Sequence, residues 1–499
     1  MLHIGAKTKF LLGKLSRSIL ISFSIRQGDP LAMLLYILYI EPLIVYIEAR
    51  IVGLHIKNLK QGVEAYCDDF NVMTGSTEDL MVVNDAVENF EKVSGAILSR
   101  NQKCKILGLG TWKNKNKWPL PYVVTVKEIK VFGVYIMESY RNLLKRNWDF
   151  RYSKFEQSLI SWSSRNLDSL SQRIEVLKIF ALSRIYYLAS ILPISKTMCK
   201  RIEKAMGKFI WYNSGYTLRV SMSDLKHPLE KGGLGLVCIL GMSQSLQLSQ
   251  LFRLLKSGDG KAIGHVAYWI GEFVDAFIPG LSEGEHAVVV PAFYEDLAEL
   301  LASRRIDDSV SPSNWRSLTN KILYCHHISC LPPTNQNIHG SFKLLTSPSL
   351  ESKQREVMYL LLHNKLAVRE RLFRVRSVND PYCSKCLESE GAVICDRDHY
   401  FCQCGYVREV WQALKLMLNI LGVDCSSYSD FELLTLQLPR SSKDTELVWI
   451  MSTYVHTAWR QLNSEESEFS VEKFFGYLKF KYKSYQCGAR PVLCIPAFD

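Results

Sequence analysis

The stretch that most constrains this chain of 499 residues is V-E-A-Y-C-D-D-F-N-V-M, at positions 63–73. Apolar and polar residues alternate on both sides of Asp68 and Asp69, which is typical of two half-buried strands joined by a tight turn. Two adjacent carboxylates at a hairpin tip repel each other unless a cation neutralises them. Divalent metal ions would do so, and phosphoryl transfer uses such ions. The alternative is a solvent-exposed acidic turn without chemistry.

Length and composition describe a folded chain of two to four domains, with 47% hydrophobic and 22% charged residues. The net charge of +12 agrees with a polyanionic partner without requiring one. Fourteen cysteines follow no regular framework. We therefore expect a reduced, intracellular location, nuclear or cytoplasmic and not secreted, with some thiols used for metal. The most apolar run, Leu31 to Ile40, is followed by Glu41-Pro42. It is too short to cross a bilayer, so we expect no membrane association.

A second motif, R-Q-G-D-P-L, occupies positions 26–31. Asp29 and Pro30 suit the start of a helix, and Gly28 lets a substrate approach the backbone closely. The leucines that follow at helical spacing predict a largely buried helix; they are Leu31, Leu34, Leu35 and Leu38. An ordinary junction between a loop and a helix is the alternative for this motif alone.

R-Q-G-x-P-L followed about forty residues later by Y-x-D-D resembles the palm of reverse transcriptases, specifically those of non-LTR (LINE-like) retrotransposons. Two further matches follow in the family's order. Ser94-Gly95-Ala96, leading to Lys103 or Lys105, is similar to the next palm motif. The segment K-V-F-G-V at 130–134 resembles the short primer-grip hairpin.

The resemblance implies an RNA-directed DNA polymerase that uses an RNA template, a DNA primer and nucleoside triphosphates. Asp68 and Asp69 would bind Mg²⁺, and Tyr66 would lie beside the primer terminus. Four residues would contact template or incoming nucleotide, and these are Arg26, Gln27, Gly28 and Lys103. The resemblance says nothing about oligomeric state.

The chain also departs from the family pattern. The family's third catalytic carboxylate lies upstream of the R-Q-G motif, but residues 1–25 contain no Asp or Glu. The fingers region is missing as well. One adjacent pair of acids lacks the ligand that fixes the separation of two metal ions. We therefore expect little polymerase activity from this chain alone. The alternative function is a non-catalytic, zinc-containing remnant that binds nucleic acid.

Basic and aromatic residues follow the palm-like region. Lysines alternate with asparagines between Trp112 and Trp118, which suits either a nucleic-acid-binding loop or an exposed hairpin. Residues from Trp162 onward show helical spacing and resemble the family's thumb, which contacts the primer–template duplex through phosphates. Lys204, Lys208 and Trp211 extend this pattern. A helix bundle with a solvated basic face explains it equally well.

A metal-ligand pattern lies near the C-terminus: Cys383-x2-Cys386, twelve residues, then His399-x4-Cys404. Three cysteines and a histidine suit tetrahedral Zn²⁺, and a closed set of four ligands is structural. Cys395 and Cys402 are competing ligands, and spacing alone does not exclude Cys402 in place of Cys404. The pattern resembles the zinc-binding C-terminal segment of the same polymerases, which is linked to RNA binding.

Together these features predict an α+β fold, with a partial reverse-transcriptase palm, a mostly α-helical thumb and C-terminal region, and a small zinc knuckle. The expected domains are palm 1–140, thumb-like region 141–250, helical connector 251–375, zinc-knuckle-like segment 376–415 and C-terminal helical cap 416–499. The box G-G-L-G-L at 232–236 lacks the spacing of a phosphate-binding loop, and no chemistry is assigned to it.

Overall fold

The computed structural model describes residues 7–8, 11–12, 14–15, 17–20, 31–66, 69–98, 100, 104–167, 169–211, 220–275, 281, 287–306, 310–311, 313–332, 339–387, 391–439, 441–463 and 469–486. The fold is α+β, as expected, with many helices and short strands. The described strands are β1 (Lys7–Thr8), β2 (Leu11–Leu12), β3 (Lys14–Leu15), β4 (Ile19–Leu20), β5 (Leu54–Ile56), β6 (Leu59–Gln61), β7 (Val63–Tyr66), β8 (Asp69–Val72), β9 (Lys105–Ile106), β10 (Val124–Thr125), β11 (Ile129–Val131) and β12 (Val134–Ile136).

The described α-helices are α1 (Ala32–Arg50), α2 (Thr77–Ser94), α3 (Tyr140–Ser163), α4 (Leu170–Val176), α5 (Ser183–Ala189), α6 (Lys196–Ile210), α7 (Met222–Lys226), α8 (Ile239–Ser257), α9 (Gly260–Val274), α10 (Ala292–Ile306), α11 (Asn320–Ser329), α12 (His339–Leu344), α13 (Ser352–Leu362), α14 (Arg369–Arg374), α15 (Arg408–Ile420), α16 (Asp430–Leu434), α17 (Asp444–Leu462) and α18 (Val471–Gln486). Two π-helical turns, Leu177–Ala181 and His399–Gln403, and three short 3₁₀ turns complete the set, the latter being Gly110–Trp112, Leu229–Lys231 and Cys425–Ser427.

The chain forms two compact units. The first contains Met1–Asp149 and Leu251–Arg316, and the second contains Phe150–Gln250 and Ser317–Asp499. The described strands pair two by two: β1–β4, β2–β3, β5–β6, β7–β8 and β11–β12 are antiparallel, and β9–β10 is parallel.

The core of the first unit lies between α1, α2 and the β7–β8 hairpin. Leu43, Ile47 and Ile51 from α1 and its C-terminal end meet Ala86 and Val87 from α2. One face of the hairpin covers this cluster with three apolar side chains, Val63, Phe70 and Val72. The other face carries polar residues, because successive side chains in a strand point to opposite sides.

Helix α1 is longer than the apolar run Leu31 to Ile40 and less buried than predicted. It continues through Pro42 to Arg50, because its apolar face between 43 and 51 packs on α2 and offsets the lost backbone hydrogen bond. Leu34 and Leu38 are exposed, and only Leu43 and Ile47 are buried among its described residues. The prediction of a largely buried helix was therefore wrong.

With its full length of 19 residues and a mean hydropathy of 1.7, α1 is long and apolar enough to cross a membrane. The expectation that the apolar run is too short for this rested on the wrong end point. Length and composition are weak support for a span, because core helices and signal sequences have the same properties.

In the second unit, the G-G-L-G-L box forms a tight turn that is held from one side by a side chain of α13 and by the residue that follows this helix. Gly232 has a φ of +83°, and its carbonyl accepts hydrogen bonds from the Tyr359 hydroxyl at 3.1 Å and from His363 Nε2 at 2.7 Å. A Cβ at Gly233 would lie 1.8 Å from the His227 carbonyl oxygen. The box therefore has a structural role: it ties residues 225–236 to the C-terminal helices.

The C-terminal helices pack around large aromatic side chains. Trp411 of α15 and Trp449 of α17 are buried. Tyr454 of α17 packs on Trp411 with tilted rings at a centroid distance of 5.4 Å, and its hydroxyl donates to the Phe401 carbonyl beside the predicted metal site. This core supports the region that carries the cysteines.

Candidate metal centre and acidic hairpin

The predicted acidic hairpin is present. Strands β7 and β8 pair antiparallel, with Val63 opposite Val72 and Tyr66 opposite Asp69. Tyr66 and Asp69 are both exposed, so the tip presents a phenol and a carboxylate to solvent. Among the described residues, no cation pairs with the Asp69 carboxylate. Asp68 lies outside the described residues, so its place at the tip stays a prediction.

The base of the hairpin is held by Glu48 of α1. Its Oε2 accepts a hydrogen bond from the backbone N–H of Val63 at 2.8 Å. The N–H of Met73 donates to the Gly62 carbonyl at 2.7 Å and closes the ladder at this end. A Cβ at Gly62 would lie 2.2 Å from Glu48 Oε2. Only glycine at this position lets the carboxylate reach the start of β7.

A second carboxylate, Asp79 of α2, holds the chain on the far side of the hairpin. It is 2% exposed and accepts from the N–H groups of Val52, Gly53 and Gly75 at 2.7, 3.0 and 3.1 Å. Its own N–H donates to the Ser76 hydroxyl, which caps α2. Sequence reasoning did not single out Glu48 or Asp79, although Ser-x-x-Asp is a recognisable helix start.

The structure brings the primer-grip-like segment next to the acidic hairpin. Strands β11 and β12 form a short antiparallel hairpin, as predicted, with Phe132 and Gly133 at positive φ in its turn. The Phe132 ring meets the Tyr66 ring edge to face at a centroid distance of 6.2 Å. The buried Asn147 side chain of α3 fixes β12 by bonding both the N–H and the carbonyl of Tyr135.

The remaining predicted contacts to template and nucleotide are not placed by the structure. Arg26, Gln27, Gly28 and Lys103 lie outside the described residues, so their roles stay predictions. Lys105, the alternative to Lys103, begins β9 and pairs with Val124. In the Trp112 to Trp118 loop, the Lys115 ammonium lies about equally close to both rings, at 4.9 and 5.0 Å from their centroids.

The four predicted zinc ligands form one buried group in the second unit. The ligand atoms of Cys383, Cys386, His399 and Cys404 all lie within 4.8 Å of one another. Two backbone hydrogen bonds shape the Cys-x-x-Cys turn: Cys383 N–H donates to the Val393 carbonyl and Leu387 N–H donates to the Cys383 carbonyl. These bonds direct both thiols to the same side.

His399 and Cys404 reach this group through a π-helical turn. They are five residues apart, and the N–H of Cys404 donates to the His399 carbonyl at 2.7 Å. An α-helical turn brings residues four apart onto one face, whereas the wider π-turn suits a spacing of five. Cys402 and Cys395 are buried but do not belong to the group of four.

The distances fit tetrahedral Zn²⁺. With Zn–S near 2.3 Å and Zn–N near 2.0 Å, tetrahedral geometry places sulfur atoms about 3.8 Å apart and sulfur and nitrogen about 3.5 Å apart. Here Cys383 Sγ and Cys404 Sγ are 3.9 Å apart, and Cys386 Sγ lies 3.4 Å from Cys404 Sγ and 3.5 Å from His399 Nε2. The buried cluster could hold a zinc ion.

The three thiols of this group differ in pKa. Hydrogen bonds from the Cys395 and Cys404 thiols hold the pKa of Cys383 well below its ordinary value. Burial raises the pKa of Cys386, and the hydrogen bond with Cys383 raises that of Cys404. Metal binding therefore displaces protons from these thiols, which makes the affinity for metal increase with pH.

Comparison with known proteins gives one informative similarity. A Xenopus laevis protein described as "Transposon TX1 uncharacterized 149 kDa protein" is 27% identical over 243 residues. The chain is related to a transposon protein. The similarity covers 46% of this chain and 18% of the length of the Xenopus relative. No protein-family model matches the chain.

Proposed function

We propose that this chain carries the palm region of a non-LTR retrotransposon reverse transcriptase, with its nucleotidyl-transfer site at the β7–β8 tip. One observation supports this above all: Tyr66, opposite Asp69 at the exposed tip, contacts Phe132 of the primer-grip-like hairpin. The two motifs are far apart in sequence, yet their hairpins contact each other through these two rings. The similarity to a transposon protein agrees with this origin.

In this proposal Asp68 and Asp69 bind Mg²⁺. The Asp69 carboxylate suits this role, because it is exposed at the tip and no described cation pairs with it. The metal would activate the primer hydroxyl and stabilise the leaving pyrophosphate. Tyr66 would support the terminal base pair, while Glu48 and Asp79 keep the hairpin in place through backbone N–H groups. The partners are an RNA template, a DNA primer and nucleoside triphosphates.

These 499 residues offer two of the three carboxylates that the family uses, since residues 1–25 contain no acid. We therefore expect primer extension on an RNA template by this polypeptide alone to match that of an Asp69→Ala variant. Clear Mg²⁺-dependent extension above that variant would refute this expectation of inactivity.

Metal binding at the tip can be tested without polymerase activity. Fe²⁺ occupies carboxylate sites for Mg²⁺ and, with ascorbate and peroxide, cleaves the backbone beside them. We expect cleavage near residues 66–69, lost in Asp69→Ala and retained in Asp85→Ala, which removes an exposed acid of α2. Cleavage that Asp69→Ala leaves unchanged, or no cleavage near the tip, would remove the support for a catalytic site.

The Cys3His cluster is the basis of a second candidate function. With four protein ligands the site is closed, so zinc there would be structural. This site is complete whether or not the hairpin binds metal, so it supports the zinc-containing part of a second candidate, a protein that binds nucleic acid without catalysis. RNA binding together with no Fe²⁺ cleavage at the tip would select this candidate.

A further inference from the structure

Helix α6 in the second unit has an unusual division of its surface. Its buried side carries apolar residues, among them Ile202, Met206 and Phe209. Apart from Thr197, every exposed residue of this helix carries a positive charge. These residues are Lys196, Lys200, Arg201, Lys204 and Lys208, and we call the four lysines the lysine row.

The lysine row has a regular geometry. Its members are four residues apart, so they lie near one stripe of the helix at a rise of about 6 Å per step. Glu203 is the single acid of α6, and Lys226 binds its carboxylate at 2.6 Å. The Arg201 guanidinium lies over the Tyr152 ring at 3.9 Å. The single acid of this helix is thus paired with a lysine outside the row.

An open cavity of about 390 Å³ lies beside the row. Lys200, Lys204 and Lys208 line it together with Glu203, whose carboxylate is paired with Lys226, and Trp211 and Met222 contribute apolar walls. A solvated basic face needs no such cavity. Cations next to an apolar notch are the combination that single-stranded nucleic acid uses, with phosphates on the cations and a base in the notch. A duplex keeps its bases stacked and cannot fill the notch.

We propose that α6 binds single-stranded nucleic acid, with the phosphates along the lysine row and one base in the notch beside Trp211 and Met222. This goes beyond the proposed polymerase site, since it requires neither Asp69 nor the Cys3His cluster. It also departs from the duplex contacts expected for a thumb. RNA and DNA share the chemistry that the row and notch recognise.

The test uses the full chain and fluorescein-labelled 20-nucleotide oligo(rU) and oligo(dT), measured by anisotropy from 0.05 to 0.3 M KCl. The triple variant K200Q/K204Q/K208Q removes three phosphate contacts. We expect the slope of log Kobs against log salt to fall by about 2, and the affinity at 0.1 M salt to fall about a hundredfold. The matched control K473Q/K479Q/K483Q removes three exposed lysines of α18 and should stay within about twofold of wild type. An equal loss in both triple variants would overturn the proposal.

The notch is tested with an abasic sugar-phosphate strand of the same length. We expect wild type to prefer oligo(rU) or oligo(dT) about tenfold, and Met222→Glu to abolish this preference. If wild type binds the abasic strand as tightly as the oligonucleotides, no base occupies the notch and this part of the proposal is refuted. Tighter binding of a 20-bp duplex, or displacement of the oligonucleotide by phosphatidylserine vesicles, would overturn the choice of partner. The ratio of oligo(rU) to oligo(dT) affinity identifies which nucleic acid fits better.

Discussion

His363 should make the second unit acid-sensitive. The side chain is 3% exposed, and its Nε2 bonds the Gly232 carbonyl while its ring packs 4.9 Å from Phe342. Burial lowers its pKa to about 4, from about 6.5 in the unfolded chain. The folded state therefore binds fewer protons than the unfolded state between these values. The stabilising contribution is fully present above pH 6.5 and is lost as the pH falls towards 4.

The difference between the two pKa values corresponds to about 3 kcal/mol of opening free energy. Hydrogen–deuterium exchange of α13, corrected for intrinsic rates, measures this locally at pH 7.5, 6.5, 5.5 and 4.5. We expect wild-type protection to fall by about 3 kcal/mol across this range towards pH 4. His363→Gln should be less stable at pH 7.5, yet lose much less on acidification.

The exposed His55 supplies the control, since His55→Gln should keep the wild-type pH dependence in α13. An unchanged pH dependence in His363→Gln would refute the reasoning. Hydrogen-exchange protection of α13 that stays constant between pH 7.5 and 4.5 in wild type would also refute it. Protonation of the buried imidazole would then not destabilise the folded state.

Three further outcomes are expected. Purified protein should contain about one zinc per chain by elemental analysis, lost in Cys404→Ser and kept in Cys402→Ser, because only Cys404 joins the four-ligand group; the reverse pattern would reassign the ligand. Asp79→Asn should destabilise α2 by about 3 kcal/mol in hydrogen exchange, because charge-assisted hydrogen bonds to three N–H groups are weakened. The control Asp85→Asn should change the stability of α2 little, and equal effects of the two variants would contradict the prediction. Gly233→Ala should lower the urea midpoint of the second unit, since its Cβ would overlap the His227 carbonyl; an unchanged midpoint would show that the turn relaxes.

The sequence was sufficient for features whose pattern is local. Alternation around the acidic pair predicted the hairpin at 63–72. The resemblance of K-V-F-G-V at 130–134 to a primer-grip hairpin implied a second hairpin, which the structure has at 129–136. The spacing Cys-x-x-Cys and His-x4-Cys identified a ligand set that the structure brings together. Each of these depends on neighbours within a few residues, so a pattern of residue types is enough.

The sequence did not predict features that depend on contacts between residues far apart in the chain. Helix α1 passes through Pro42 because α2 and the hairpin pack against its second half, and nothing near Pro42 indicates this. Glu48 and Asp79 bond backbone groups 15 and up to 27 residues away, which leaves no periodic signal. Cys402 and Cys404 could not be separated, because the choice depends on whether the turn after His399 is α or π.

The π-helical turn at His399–Gln403 has a consequence for how this region tolerates insertions and deletions. Shortening the turn by one residue would leave imidazole and thiol four positions apart, which an ordinary α-helical turn also places on one face. Lengthening it by one would rotate the thiol away from the ion. Variation in the number of residues here should therefore be tolerated in one direction only, even where the identity of the intervening residues is free to change.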